Sequence, residues 1–365
     1  MSKFMKVVSL LEDRVRRGDY ALTKFPGERA LALEVGVSRV TARKAVNHLI
    51  ERGLILEAGQ KGKLVPRRLQ APRVRQLAFL MPPVVSQDVQ HHQRGVELAA
   101  ASFGAVVRSV VYAHWSDVLI DDALKGFDGV FFMRMGTSMP EAVIRKLQKA
   151  TVPVVSLDHD LSAEGIVSAR LFPEDGVSQL LDRVAALGHR RIACLSSYPL
   201  PIQDIEKRIE DWQHWKSKTG LEGILINEPH SVKNGGGTAG ADAAHRTMTR
   251  VLESGHFHDT AILCTALWTA LGAMRAIEDA GKVVGRDISV CVVNDEELGP
   301  WIRPRLTSLQ AADAATFLAP CVDWILRGGR DWFGPLLITP KQPNIFMGES
   351  TMAPPSESRH ASTGA

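Results

Sequence analysis

The sequence predicts a small, basic α+β domain at the N-terminus and a larger α/β domain built from two lobes with parallel sheets. Length and charge predict the division: 365 residues suit two or three domains at roughly 150 residues each. Residues 1–75 hold 17 Lys and Arg against 7 Asp and Glu, a net charge of +10, whereas the other 290 residues hold 27 against 33, a net charge of −6. The first part therefore suits a polyanionic partner.

Composition excludes several classes of protein. Hydrophobic residues make up 45% of the chain and charged residues 23%, which is ordinary for a soluble globular protein and excludes disorder, collagen and coiled coil. No apolar stretch approaches 18 residues, and the N-terminus lacks the pattern of a signal peptide, so we expect a cytoplasmic protein without contact to a membrane. Reduced, buried thiols are expected at Cys194, Cys264, Cys291 and Cys321.

Helical signals fill the basic region as far as residue 52. Apolar residues at three- and four-residue spacing predict a helix over 2–17, and a short second helix is expected over 28–35. Gly36 lies in a tight turn where a positive φ is needed. Ser38 is a good N-cap, and it predicts a third helix that runs to about residue 52.

The third helix has two distinct faces. Arg39 and Arg43 are four residues apart on one of them, while the core face carries Ala42, Ala45, Val46, Leu49 and Ile50. A hairpin is expected over 54–65, with a Lys- and Gly-containing tip at 59–62. Three helices and a basic hairpin make a winged helix-turn-helix, whose third helix can enter the major groove of DNA while the wing approaches its backbone.

The segment FPGERALALEVGVSRVTARKAVNHLIERGLILEAGQKGKLV resembles the GntR-type winged helix over about forty residues without a gap. The sequence departs from the family at Gly27, where a serine is usual, at Ala42 for valine, and at 63–64, where Thr-Phe is usual. We expect Glu28 to support the second helix electrostatically and not to touch DNA. The resemblance and the local basic charge together predict DNA-binding roles for Arg29, Ser38, Arg39, Thr41, Arg43, Lys44, Lys61, Gly62 and Lys63.

The rest of the chain predicts two α/β lobes. We expect a winged helix over 1–66, a linker over 67–73, an effector-binding and dimerisation domain over 74–352, and a disordered tail over 353–365. Helical patterns alternate with apolar runs, which predicts parallel sheets covered on both faces. Some nine strands are too many for one open sheet of the usual size, and they are expected at 76–81, 105–111, 129–133, 152–157, 191–195, 223–226, 261–264, 288–293 and 336–338.

Several separated segments resemble the effector domain of the LacI/GalR regulators, strongest at LGHRRIACL, GRDISV and RPRLTSL. That domain is similar to the periplasmic sugar-binding proteins of type I, in which two lobes hold a ligand in the cleft between them. The resemblance implies a homodimer that binds a double-stranded DNA operator and a small carbohydrate-like effector. It implies neither an enzyme nor a cofactor.

Effector-binding residues are expected beyond the carboxyl ends of strands, where open α/β sheets bind their ligands. Asp158 and Asn294 each follow an apolar strand, and the resemblance assigns effector contacts to both and to Arg208. Trp268 either stacks on a sugar face or packs as an ordinary core residue. Ala266 and Leu267 stand where the family usually has an Asn-Asp pair. Their side chains cannot form the hydrogen bonds that a buried sugar needs, which costs about 1–3 kcal/mol of binding free energy for each polar group left unpaired. Asn294 also replaces the usual aspartate, and Asp211 a glycine.

Other motifs predict no site. The GGGTAG run at 235–240 contains G-x-G-x-x-G but lacks a strand directly before it, so a surface loop is expected. His91-His92 and His256-x-His258 have no metal-type partners nearby in the sequence, so no metal site is expected.

Three functions remain open at this stage. The first is a ligand-responsive transcription regulator, most simply a repressor. The second is a constitutive DNA-binding dimer whose larger domain has lost effector binding. The third, an enzyme that carries a DNA-binding head, is disfavoured because the chain is short and has no lysine in a cofactor-type setting.

Overall fold

The computed structural model describes residues 3–17, 19–20, 25–58, 63–66, 74–83, 87–134, 138–198, 202–229 and 239–355. The predicted linker at 67–73, the wing tip with Lys61 and Gly62, most of the GGGTAG run and most of the predicted tail lie outside these residues. The domain boundaries stay predictions.

The N-terminal domain is the predicted winged helix-turn-helix. It contains helices α1 (Lys3–Arg17), α2 (Glu28–Val35) and α3 (Arg39–Glu51), followed by an antiparallel hairpin of strands β1 (Ile55–Ala58) and β2 (Lys63–Pro66). Gly36 ends α2 with a φ of +67°, and the Ser38 hydroxyl accepts a hydrogen bond from the Thr41 amide at 3.2 Å. Both local predictions are therefore confirmed. The buried core includes Val7, Leu11, Leu31, Ala42, Val46, Leu49 and Ile55.

Lobe 1 is a six-stranded parallel sheet in the order β13-β7-β6-β5-β3-β4. Five of its strands are continuous in the chain with three helices between them, while β13 (Leu337–Ile338) comes from near the C-terminus. In chain order the continuous part is β3 (Gln76–Met81), α4 (Gln87–Ser102), β4 (Val106–Val111), α5 (Val118–Gly126), β5 (Gly129–Met133), α6 (Glu141–Gln148), β6 (Val154–Leu157) and β7 (Val167–Ala169).

Lobe 2 has a sheet in the order β14-β12-β11-β10-β8-β9, parallel except for its edge strand β14 (Asn344–Phe346). Its continuous part is α7 (Gly176–Ala186), β8 (Ile192–Ser196), α8 (Gln203–Thr219), β9 (Leu225–Asn227), α9 (Ala239–Glu253), β10 (Ala261–Cys264), α10 (Leu267–Asp279), β11 (Ser289–Val293) and β12 (Thr307–Gln310). The chain then returns to lobe 1 through α11 (Ala314–Leu326), which packs on α4.

The chain crosses between the lobes three times, after β7, after β12 and between β13 and β14. Hydrophobic clusters cover both faces of each sheet, and the central strands β5, β8 and β11 are buried along their whole length. All four cysteines are buried and form no disulfide. None of the helices described has the length and hydropathy needed to cross a membrane.

The nine predicted strands were too few, because the described part of this domain contains twelve. The sequence patterns missed β7, β12 and β14, which are only three or four residues long. Strand β12 has the sequence TSLQ and therefore lacks an apolar run. Its threonine and serine are nevertheless buried, because their hydroxyl groups form hydrogen bonds inside the lobe. The strand expected at 223–226 begins two residues later.

Gly272 allows α10 to pack closely on α9. A Cβ atom at this position would lie far inside van der Waals distance of the Ala241 carbonyl oxygen. We expect Gly272→Ala to destabilise the domain by about 1–3 kcal/mol, because overpacking outweighs the helix propensity gained. Urea unfolding measures the change. Arg275→Ala on the exposed face of the same helix is the control, and equal stability of the two variants would contradict the prediction.

Candidate DNA-binding surface and effector cleft

The exposed face of α3 carries the two arginines expected to reach DNA. Arg39 and Arg43 expose 73% and 69% of their side chains, and both lie near Glu28 on α2, at 3.5 and 3.6 Å. Glu28 therefore holds both guanidinium groups at one place, a role that the sequence pattern did not reveal. Ser38 and Thr41 are joined through their hydroxyl groups at 2.9 Å, at the start of the same helix.

The other predicted DNA-binding residues are only partly described. Arg29 and Lys44 are exposed on the same domain, whereas Lys63 is described only by its backbone in β2. Gly27 precedes α2 and provides no side-chain cap, as its replacement of serine implies. Val40, beside Arg39, is an apolar side chain that is 65% exposed.

In the larger domain, Asp158 and Asn294 lie directly after β6 and β11, at the carboxyl ends of the two sheets. Both have left-handed backbones, with φ of 57° and 65°. The Asn294 amide nitrogen donates a hydrogen bond of 3.0 Å to the Asp88 carboxylate on α4. This bond joins lobe 2 to lobe 1 across the cleft.

His92 lies one helical turn after Asp88 and is completely buried. Its Nε2 atom is 3.1 Å from the Asp158 carboxylate, and its Nδ1 atom is 2.8 Å from the Asp88 backbone carbonyl oxygen. Burial alone would lower the pKa of His92, but the carboxylates of Asp158 and Asp88 outweigh it and raise the pKa to about 10. Sequence reasoning missed His92 because Asp158 is far away in the chain.

Arg208 lies on α8 at the other wall of the cleft. Its guanidinium donates a 2.6 Å hydrogen bond to the Thr265 carbonyl oxygen and lies 5.9 Å from the centre of the Phe172 ring. Together with Asp158 and Asp88 it lines a narrow cavity of about 80 Å³. Asp158 and Arg208, both predicted from the sequence, are therefore close together in the structure.

Trp268 and the altered Asn-Asp position have different surroundings. Trp268 is half-buried at the start of α10, near Gly240, and it is not among the residues that line the two cavities described at the cleft. Leu267 is fully buried in the apolar core of lobe 2. The loss of a polar group at 267 is thus compensated by packing inside the lobe.

A second and wider cavity, about 670 Å³ in volume, lies on the other side of Asp88. Its walls come from α4, from the segment after β11 that contains Asn294, and from the segment between β12 and α11. Asp295 in this region is a structural acid, since it accepts hydrogen bonds from Ser308 and Gln310. Burial raises the pKa of Glu296 to about 7, with Asp88 adding to the shift and Arg208 opposing it.

Two family models match the chain: bacterial regulatory proteins of the gntR family over residues 5–65, and the periplasmic binding protein-like domain over residues 181–316. The chain joins a GntR-type helix-turn-helix domain to a periplasmic-binding-protein-like domain. The family resemblance and the fold class that the sequence predicted are therefore confirmed.

The curated relatives are transcription regulators. The chain is 30% identical to the lactose operon repressor of Escherichia coli (strain K12) over 165 residues, 45% of this chain and 43% of that repressor. It is 23% identical to catabolite control protein A of Priestia megaterium over 273 residues, 74% of this chain and 78% of that protein. The alignment thus spans less than half the length of the first relative.

Solved structures support the fold. A dimeric Lac repressor with a C-terminal deletion superposes with a TM-score of 0.63 at 22% identity, covering 76% of this chain and 99% of that one. The LacI family transcriptional regulator CCPA from Weissella paramesenteroides, with bound glucose, gives a TM-score of 0.62 at 19% identity, with coverage of 76% and 99%.

Replacement of Glu296 tests the electrostatics of the wide cavity. The charged or titratable groups that interact with Glu296 are Asp88, Asp295, Arg208 and Tyr198. Its pKa rises from an ordinary 4.5 to about 7 on folding, so between these values the folded chain holds a proton that the unfolded chain has released. Stability therefore falls as pH rises through this window. Glu296→Gln should match the wild type near pH 5 and melt at a higher temperature near pH 8. Parallel pH profiles would contradict this assignment.

Proposed function

We propose that the protein is a ligand-responsive, DNA-binding transcription regulator, a cytoplasmic repressor whose operator affinity is tuned by a sugar or sugar derivative bound between the lobes. One observation carries the proposal. A winged helix with two exposed arginines is joined to a two-lobed domain whose cleft brings Asp158, Arg208 and Asn294 to neighbouring positions.

The proposed binding to DNA depends on α3. Arg39 and Arg43 project from its first turns, where a recognition helix contacts base edges and phosphates. Their ion pairs with Glu28 are long and exposed, so guanine or phosphate can replace the carboxylate at little cost. Glu28 then orients both side chains before DNA arrives. A homodimer would present two such helices to a pseudo-palindromic operator.

The proposed binding of an effector depends on the edges of the two sheets at which the strand carboxyl ends lie. Carboxylate, guanidinium and amide groups at this edge suit hydroxyl-bearing ligands, which need both donors and acceptors. Structurally similar LacI-type regulators are described with bound glucose, sucrose and lactose, which supports a sugar. No reaction is part of the proposal, since the curated relatives are regulators.

Effector binding can change DNA binding only if the effector has different affinities for two arrangements of the lobes. The Asn294–Asp88 hydrogen bond is formed across the cleft, so its geometry changes when the lobes rotate. An effector that competes for either side chain would favour one rotation over the other. In a dimer, that rotation would change the spacing of the two winged helices.

The DNA-binding assignment is tested with the variant Arg39→Ala/Arg43→Ala. An operator is first selected from random duplexes with the wild-type protein. We expect the variant to lose at least about a hundredfold in specific affinity, because each good base contact contributes about 1–3 kcal/mol. Its binding should also depend less on salt concentration.

The control for this variant is Arg246→Ala/Arg250→Ala, which removes the same charge at the same spacing from α9 in lobe 2. Unchanged thermal melts would establish that both variants fold. Specific binding retained by the α3 variant would refute the assignment.

The effector assignment is tested by thermal melts against sugars, sugar acids, sugar phosphates and nucleosides. A ligand at a hundred times its Kd should stabilise the larger domain by about 2.7 kcal/mol, which is a shift of several degrees. Arg208→Gln should abolish the shift, whereas Lys218→Gln on the exposed end of the same helix should keep it. Operator binding without any ligand response would favour the alternative, a constitutive DNA-binding dimer.

A further inference from the structure

Asp88, His92 and Asp158 form a compact cluster at the base of the cleft. One ligand atom from each residue lies within 4.8 Å of the other two. Asp88 and His92 are four residues apart on α4, so both project from one face of that helix, and Asp158 approaches from the end of β6. The three residues come from only two elements of lobe 1, which fixes their relative positions.

The two nitrogens of His92 have different surroundings. Nδ1 lies 2.8 Å from the Asp88 backbone carbonyl oxygen, an arrangement in which Nδ1–H donates and Nε2 is the nitrogen that would exchange its proton for a cation. Metal-binding histidines usually donate their other ring N–H to a carbonyl or carboxylate in this way. The helix backbone therefore already determines which ring nitrogen, Nε2, would bind a cation.

Nε2 is buried and has no hydrogen bond of normal geometry, although Asp158 Oδ1 is only 3.1 Å away. The carboxylate oxygen therefore lies to one side of the direction in which an N–H would point. A metal ion about 2.1 Å from both atoms would subtend an angle of roughly 95° between them, so the two side chains would move slightly apart to reach the tetrahedral angle that Zn²⁺ prefers.

We propose that Asp88, His92 and Asp158 bind a divalent transition-metal ion, with Zn²⁺ as the best-fitting ion. Once the imidazole has released its Nε2 proton to make way for the ion, it and the two carboxylates carry a charge of −2, which a divalent ion neutralises. The imidazole nitrogen favours zinc and related ions over Mg²⁺ and Ca²⁺, which prefer oxygen ligands. The Asp88 carboxylate lies 4.0 Å from His92 Nδ1, and its side chain, which is 29% exposed, would rotate toward Nε2 to complete the site.

The site has a defined outer shell. The Asn294 amide donates to Asp88 Oδ1 and leaves Oδ2 available, so a residue of lobe 2 would orient a ligand of the metal. Water or a ligand hydroxyl can occupy the remaining coordination position, because the cluster adjoins both cavities of the cleft through Asp88. The metal would therefore bind where the two lobes meet.

The experiment uses the full-length, tag-free protein freed of metal with a chelator, without DNA or sugar. Calorimetry with Zn²⁺ and visible spectroscopy with Co²⁺ should give one ion per chain, while Mg²⁺ gives no heat. We expect His92→Gln and Asp88→Asn to lower affinity at least about thirtyfold, since each removes one ligand. Asp88→Asn retains the shape of a half-buried side chain, so it provides the test if His92→Gln does not fold.

The matched control is His91→Gln, the adjacent residue on α4, whose ring pairs with Glu297 instead. This variant should bind Zn²⁺ as the wild type does. The proposal is overturned if the wild-type protein binds no ion, or if it binds equally well after replacement of His92 and of Asp88. Because DNA and sugar are absent from the experiment, its failure would leave the proposed regulatory function intact.

Discussion

The arrangement of parallel strands is the constraint from which the cleft follows. In each lobe the strand carboxyl ends lie at one edge of the sheet, so residues that follow different strands become neighbours. Asp158 and Asn294 are separated by more than a hundred residues, yet each lies at such an edge and each reaches a residue of α4. Without parallel pairing, these side chains would be distributed over both ends of the sheets.

The two domains use charge in different ways. In the winged helix, the arginines of α3 are exposed and held loosely by one glutamate, an arrangement that can be exchanged for a phosphate or a base. At the cleft, His92 is buried between carboxylates, where a change of partner costs much more. Loose surface pairs suit reversible binding to DNA, whereas the buried cluster suits a fixed geometry around a small ligand.

The sequence predicted those features whose causes are local. Ser38 caps α3 because a hydroxyl at that point satisfies a free amide, and Gly36 takes the positive φ that a tight turn requires. Apolar runs located most of the strands of both sheets. Asp158 and Asn294 were recognised because each directly follows one of these runs.

Features that depend on distant residues were not predictable in this way. His92 looked unremarkable beside His91, since the carboxylate of Asp158 is brought to it only by the sheet. Strand β12 has no apolar run, because its polar residues are satisfied by partners far along the chain, among them Ser350 and Thr351. Pairing of Glu28 with two arginines likewise depends on the angle between α2 and α3.

The triple crossing between the lobes has a consequence for how the protein is made. Lobe 1 begins at β3 but is completed by α11 and β13, which leave the ribosome only after nearly all of lobe 2. Helix α4 therefore has an uncovered apolar face during most of translation, because α11 is its partner. The described hydrophobic core of the winged helix comes from residues 4–55, so this domain can fold early, and Gln76 and Arg108 of lobe 1 contact it later through hydrogen bonds to Arg17 and Asp19. A nascent chain would then carry a finished DNA-binding domain while its larger domain still needs protection from aggregation.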